Sequence, residues 1–548
     1  MHSPVFAKDT YFGYSVAGYK VDSDSWILVG APLTERERFH GQLTRSREGA
    51  VYRCRINTPN SCFMLPFDKK DWSEVRDHYG IYYSENKTDQ LLGSTLLVND
   101  DIIMACAPNY KYVTRMLGQD EFRYEPTGTC FTLRDKMRKF EEHSPCRNSL
   151  WGHHRQGYCQ AGFSAAISKN DSSLFITGPG AWYWQGMEIR HKYPSRSGEG
   201  KNDDSYRGYA LDIAHFDNDI YEDMVVSSPR ANNCKGYIEI FSSNFRLLHK
   251  IDGDQIGAYF GSSLIAVDLN NDFATDIVVG SPMFKKDTEN YDIGRVDVFI
   301  RDKKSNGFVY KRVTLYGLKS RSRFGSAICK LGDINDDGFN AIAAPYDGED
   351  SSGIKRIRDE SESEITWLLI KKDHVYSIEM IIKGSDYGLK TFGFSLSGGL
   401  DLDGNEYPDL IVGAYKSNSV AYIRTKSVIK TIIITQTNPR VIDFDSEENY
   451  CDTNRTQFCV QFEYCVEYFE IAMKLELDID KFQNKSLIRA LFNETKSYNL
   501  IRNYTFKSEA RTCFSQVVTI KNFQAIYYNS LMRLIVPYSL VRLCCTIS

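Results

Sequence analysis

Residues 260–282 read FGSSLIAVDLNNDFATDIVVGSP. Two apolar runs flank a turn packed with side-chain oxygens: Asp268, Asn270, Asp272 and Asp276. Runs of this length and composition predict two strands joined by a polar hairpin turn. The same pattern recurs along the chain. Phe12-Gly13 leads to LVGAP at 28–32, Leu92-Gly93 to MACAP at 104–108, and Gly162-Phe163 to ITGPG at 176–180. Gly208-Tyr209 leads to VVSSP at 225–229, Phe260-Gly261 to VVGSP at 278–282, Phe324-Gly325 to IAAPY at 342–346, and Phe392-Gly393 to IVGAY at 411–415. Most copies add a strand that opens on glycine, as at Gly49, Gly128, Gly236 and Gly294. Seven copies of a short-stranded unit predict an all-β, seven-bladed β-propeller.

The acidic turn is present in four copies. Oxygens at positions 1, 3, 5 and 9, with a backbone carbonyl at 7, match the six to eight hard oxygen ligands that calcium takes. Asp268, Asn270, Asp272 and Asp276 are complete, with Ala274 at the carbonyl position, and so are Asp401, Asp403, Asn405 and Asp409, with Tyr407 there. Asp333, Asn335 and Asp337, with Phe339, lack the last acid because Ala341 occupies it. In the remaining copy His215 replaces the first acid before Asp217, Asp219 and Asp223. Imidazole is a poor calcium ligand, so this loop is expected to bind most weakly and the Asp268 and Asp401 loops best. Two to four Ca2+ ions are expected. A strand follows each turn where an EF-hand would have a helix.

Composition narrows the setting. The chain has 548 residues, 42% apolar, and a net charge of −4, which gives no electrostatic case for nucleic acid. Among 14 cysteines, Cys54 and Cys62, Cys106 and Cys130, and Cys146 and Cys159 form three close pairs that predict disulfides in an oxidising compartment. Sequons at Asn86, Asn170, Asn454, Asn484, Asn493 and Asn503 predict glycosylation. The first eight residues lack a signal-peptide core, and no apolar run is long enough to span a membrane. A fragment of a longer secretory protein is therefore expected.

The repeats, together with Cys106-Ala107-Pro108, GYCQ at 157–160, GPGAWYWQG at 178–186, DDSYRGY at 203–209 and APYDGED at 344–350, resemble the head of an integrin α subunit over Tyr11 to Arg424. The resemblance implies a propeller over 1–427 and an incomplete immunoglobulin-like β-sandwich, the thigh domain, over 428–548. It implies a non-covalent heterodimer with an integrin β subunit, at the extracellular side of the plasma membrane, with membrane attachment only through segments outside this chain. It implies an extracellular-matrix or cell-surface ligand and no catalytic role. Residues 131–157 are too short for an inserted ligand-binding domain. Ligand contacts would then lie near Tyr183, Asp203 and Tyr206. His154 stands where some Arg-Gly-Asp-binding members carry a second acid, which argues against Arg-Gly-Asp recognition.

The residue after the repeat glycine is aromatic in four copies, Tyr14, Phe163, Tyr209 and Phe394, while Ser94, Ser262 and Ser326 fill the others. In the family such a cup holds a basic side chain of the β subunit. Two further expectations concern weak points. The sixth unit must recover its third strand from 365–370 after a charged insert, and a chain that begins almost at the first repeat has little left to close the seventh blade. The alternative functions are a soluble calcium-dependent scaffold or carbohydrate binder, or the propeller of a secreted phospholipase-like enzyme.

Overall fold

The computed structural model describes residues 9–425 except 23, 40–42, 59–60, 69–73, 77–81, 116–121, 135, 149–151, 191–192, 195–201, 218, 304–306, 349–361 and 371–375. Beyond these it describes the strands 432–438, 458–467, 472–478, 490–492, 499–505 and 512–520. The chain divides into two compact units, Met1–Ser427 and Val428–Ser548.

The first unit is a β-propeller of seven antiparallel sheets. Blade 1 runs in strand order Ser15–Val21, Asp24–Ala31, Ala50–Arg55, Cys62–Met64. Blade 5 shows the same order in Ser263–Val267, Asp276–Ser281, Arg295–Arg301 and Tyr310–Tyr316. In every blade the second strand is the apolar run that the repeat carries; in blades 1, 2, 5 and 7 it is buried over most of its length. Blade 6 recovers its third strand as expected: Glu362–Ile370 pairs with Ala341–Gly348 on one side and Tyr376–Lys383 on the other.

The repeat glycine explains itself in the geometry. Gly13, Gly93, Gly162, Gly208, Gly261, Gly325 and Gly393 all have φ between +85° and +95°, a region that side chains strain to enter. Each donates its N–H to the end of its own blade's second strand, from Gly13 to the Gly30 carbonyl through Gly393 to the Gly413 carbonyl. The turned-out glycine carbonyl then meets the preceding blade. A Cβ on Gly30 would overlap the Gly93 carbonyl oxygen, and one on Gly280 would overlap that of Gly325. Hydroxyls from the preceding blade satisfy these carbonyls: Ser15 Oγ donates to Gly93 O at 2.6 Å, Thr95 Oγ1 to Gly162 O at 2.8 Å, and Ser263 Oγ to Gly325 O at 2.7 Å. In blade 3 the donor moves to the second strand, where Thr177 Oγ1 donates to Gly208 O at 2.7 Å.

Ring closure is the expected weak point. Among the described residues blade 7 has three strands, Ser395–Leu400, Asp409–Ala414 and Ser419–Ile423. Its junction with blade 1 nevertheless repeats the general one. Ser395 Oγ donates to Gly13 O at 2.9 Å, and Gly413 abuts that same carbonyl. One apolar cluster spans the seam, joining Phe12, Val16 and Val29 to Leu402, Ile411 and Val420. The inner strands carry this junction.

One feature was not foreseen. Glu74–Arg76, Tyr82–Asn86, Lys111–Arg115 and Arg123–Pro126 form an additional four-stranded sheet outside the blades. It explains the long steps between the first three repeats. The three expected disulfides are present: Cys54–Cys62, Cys106–Cys130 and Cys146–Cys159. The first two staple in-register neighbours within blades 1 and 2.

The second unit contains a sheet in the order Ile432–Asn438, Phe458–Glu467, Thr512–Ile520, Ala490–Phe492, and a second pair, Ala472–Asp478 with Asn499–Thr505. Asn454, Asn484 and Asn493 lie outside the described residues, and Asn503 sits in the last-named strand.

A test follows from the glycine contacts. Gly413→Ala places a methyl on the Gly13 carbonyl and should cost about 1–3 kcal/mol. The midpoint of chemical unfolding should fall accordingly, whereas Gly404→Ala, which meets nothing within contact distance, should cost only its backbone strain.

Candidate cation loops and recognition face

Strand direction sorts the loops to two ends. The turn between first and second strands lies at one end of each blade. The repeat glycines and the links from second to third strand lie at the other, the upper face. All four acidic loops therefore share the lower end; they are called loops 4 to 7 after their blades.

Each loop is organised by its own side chains. In all four, the position-5 oxygen accepts the position-7 N–H: Asp219 from Tyr221, Asp272 from Ala274, Asp337 from Phe339 and Asn405 from Tyr407, at 2.8–2.9 Å. The position-9 aspartate has a second job that spacing did not reveal. One oxygen of Asp276 accepts Leu269 N–H at 2.9 Å and the other accepts Arg301 N–H at 2.8 Å. Asp223 does the same with Phe216 and Ser243, and Asp409 with Leu402 and Thr425. These buried carboxylates pin the loop to the end of the third strand.

Confining several carboxylates raises their energy. Burial, reinforced by Asp268 and Asp272, pushes Asp276 up to about 7. Burial also pushes Asp401 up, but the N–H groups of Glu406, Gly404 and Asn405, and Lys20, outweigh it and hold the carboxyl below its usual range.

The donor sets fit a hard divalent cation. Carboxylate oxygens of Asp217, Asp219 and Asp223 lie within 4.8 Å of one another, and so do those of Asp401, Asp403 and Asp409. In loop 6 the Asn335 Oδ1 is buried without a donor, the kind of orphan a cation satisfies. The Asp217 loop converges although His215 opens it, because that imidazole turns away and meets Asn170 Nδ2 at 3.1 Å. In loop 5 the Asn270 Nδ2 donates to Asp272 Oδ2 at 3.1 Å, turning its nitrogen rather than its oxygen to the acid.

At the upper face the expected recognition residues come together. Tyr183 is 45% exposed. It lies edge-on to His153 at 5.2 Å, and its carbonyl accepts Asp204 N–H at 3.0 Å. Asp203 is exposed and accepts Gln185 Nε2 at 2.7 Å, and Arg230 stacks over Tyr206 at 4.6 Å. Sequence reasoning missed Glu125, which is buried and accepts Gly152 N–H at 2.9 Å. It seats the loop whose His153 carbonyl receives the Tyr183 N–H.

The four aromatic positions meet around the axis. Tyr14 and Phe394 are 4.8 Å apart, and Phe163 and Tyr209 are 5.0 Å apart. Tyr415 joins the first pair and Tyr259 the second. Neither follows a repeat glycine, so the spacing rule could not find them. Burial, with Tyr259 and Tyr14 nearby, pushes the Tyr209 hydroxyl up to about 12, so its ring stays uncharged. Asn86 and Asn170, the sequons of the first unit, are half-buried and exposed respectively. Asn170 already spends its amide on Ile220 O and His215.

Fold and loops together define a β-propeller of FG-GAP repeats with divalent-cation-type hairpins. The FG-GAP repeat family model matches residues 260–299. The chain is homologous to integrin α subunits: it is 35% identical over 529 residues to integrin alpha-PS2 of Drosophila melanogaster, covering 86% of this chain and 37% of that protein. It is 32% identical to integrin alpha-5 of Xenopus laevis over 538 residues, 90% of this chain and 49% of that protein, and 32% identical to integrin alpha-V of Gallus gallus over 539 residues, 91% and 49%. It thus spans half or less of the length of these relatives.

The two roles of the acids are separable. Asp409→Ala should destabilise the unit by about 1–3 kcal/mol even in a chelator, because backbone donors lose their acceptor. Asp403→Ala, which loses the Asn405 N–H and the Arg424 pair, should cost less than Asp409→Ala in chelator and should in addition abolish the rise in melting temperature that millimolar calcium gives.

Proposed function

We propose that this chain is the head portion of a cell-adhesion receptor α subunit. Its propeller pairs non-covalently with an integrin β subunit, and the pair binds an extracellular-matrix or cell-surface protein. Two to four Ca2+ ions sit in loops 4 to 7 and stiffen the lower end. The second unit, 428–548, is read as part of an immunoglobulin-like thigh domain. The setting is the outer side of the plasma membrane, in keeping with the disulfides and the sequons at Asn86 and Asn170. Among the described residues no helix is long and apolar enough to cross a membrane.

The observation that carries this reading is the aromatic ring at the upper face beside an exposed Tyr183–Asp203–Tyr206 cluster, on a chain homologous to integrin α subunits. Phe163 and Phe394 are 37% and 43% exposed, wasteful for a core but suited to a partner's cation. Cation–π contacts contribute about 0.5–2 kcal/mol each. Exposed His154 beside Tyr183 favours a ligand other than an Arg-Gly-Asp peptide.

Co-expression with a β subunit tests the pairing. Tyr209→Ala with Phe394→Ala should reduce co-capture about tenfold or more while the melting temperature of the free chain stays within a few degrees. Undiminished capture by that variant would remove the aromatic ring from the interface.

A further inference from the structure

The acidic loops touch one another in a fixed order. Position 8 of one loop reaches the position-1 carbonyl of the loop before it. Thr275 Oγ1 of loop 5 donates to His215 O of loop 4 at 2.8 Å. Asn340 Nδ2 of loop 6 donates to Asp268 O of loop 5 at 2.6 Å. At the next junction position 8 is Pro408, which has no side-chain donor and packs near Gly332, the residue before Asp333. Loop 7 is linked the other way round the ring, where Lys20 Nζ of blade 1 donates to Asp401 O at 2.8 Å.

None of these donors is itself a ligand in the proposed sites, yet each is bonded directly to one. Thr275 lies between Ala274, whose carbonyl holds position 7, and Asp276 at position 9. Asn340 follows Phe339, whose carbonyl holds position 7 of loop 6. A cation that fixes a position-7 carbonyl therefore fixes the neighbouring donor as well. That donor in turn fixes the backbone at position 1 of the previous loop, which is the ligand Asp268 in loop 5 and His215, two residues before the ligand Asp217, in loop 4, so the next cation has less ordering entropy to overcome.

We infer that loops 4, 5 and 6 load cations as one coupled series, each occupied loop raising the affinity of its neighbour, while loop 7 loads independently. This rests on the cation reading of the loops. One hydrogen bond across each junction corresponds to about a 3- to 10-fold effect on the neighbour's affinity. Pro408 is the element that interrupts the series.

Calcium titration of the whole chain by calorimetry tests this, with hydrogen exchange of the loop peptides followed at limiting calcium. In the wild-type chain, peptides of loops 4, 5 and 6 should gain protection together and those of loop 7 on a separate curve. Thr275→Val combined with Asn340→Leu removes both links and no proposed ligand. It should split the shared transition into independent ones and weaken the mean affinity about 3- to 10-fold. Lys20→Met, a control at the loop 7 link, should leave the shared transition intact. The apo melting temperature, read in chelator, checks that each variant is folded. If the two-link variant misfolds, the wild-type exchange curves alone decide the matter. Independent protection of loops 4, 5 and 6 in the wild-type chain would overturn the coupling. A wild-type chain that binds no calcium would overturn the cation reading beneath it.

Discussion

The propeller depends on one contact that recurs at five of its seams: a glycine carbonyl pressed into the end of the preceding blade. A left-handed glycine turns its carbonyl outward, a small residue across the seam makes room, and a hydroxyl satisfies the oxygen. The Gly30–Gly93, Gly280–Gly325 and Gly413–Gly13 seams use the same parts. A buried carbonyl left unpaired costs about 1–3 kcal/mol, so each hydroxyl matters as much as the space it occupies. The seventh seam uses these same inner-strand parts, with Ser395 Oγ on the Gly13 carbonyl.

This arrangement separates two kinds of work. Strand-pairing holds the acidic turns at the lower end and the repeat glycines, with their aromatic neighbours, at the upper. The lower loops crowd carboxylates together, and burial, followed by the charges of Asp268 and Asp272, raises the Asp276 carboxyl. Calcium there would relieve repulsion and tie the hairpins. The upper face carries exposed aromatic rings, which suits recognition of a basic group. Glu125 links the additional sheet to that face by gripping the loop below Tyr183, so the insertions in the first two repeats support the recognition residues.

The fold was legible because its hardest requirements fall on glycine. Seven glycines at φ near +90° leave seven marks that no other residue can imitate. The acidic loops were legible because alternation puts every second side chain on the inside of a turn. Their detail was not, since His215 loses its place through its Asn170 partner and the Asn270 amide faces the acid with nitrogen. Both are matters of rotamer and neighbour. Tyr259 and Tyr415 escaped because they reach the aromatic ring from other loops. The additional sheet escaped because its strands lie between repeat marks and follow no period. Asp223, Asp276 and Asp409 read as metal ligands alone, and their grip on backbone N–H groups of the next hairpin became visible only in three dimensions.

The account's central claim is that the lower end is a cation-binding end. Anomalous diffraction from crystals of the chain grown with a calcium-mimicking lanthanide measures this most directly. The account predicts strong anomalous peaks inside the Asp217–Asp223 and Asp401–Asp409 loops, and none among Tyr183, Asp203 and Tyr206. Peaks absent from both loops, with the lanthanide bound elsewhere or not at all, would contradict it.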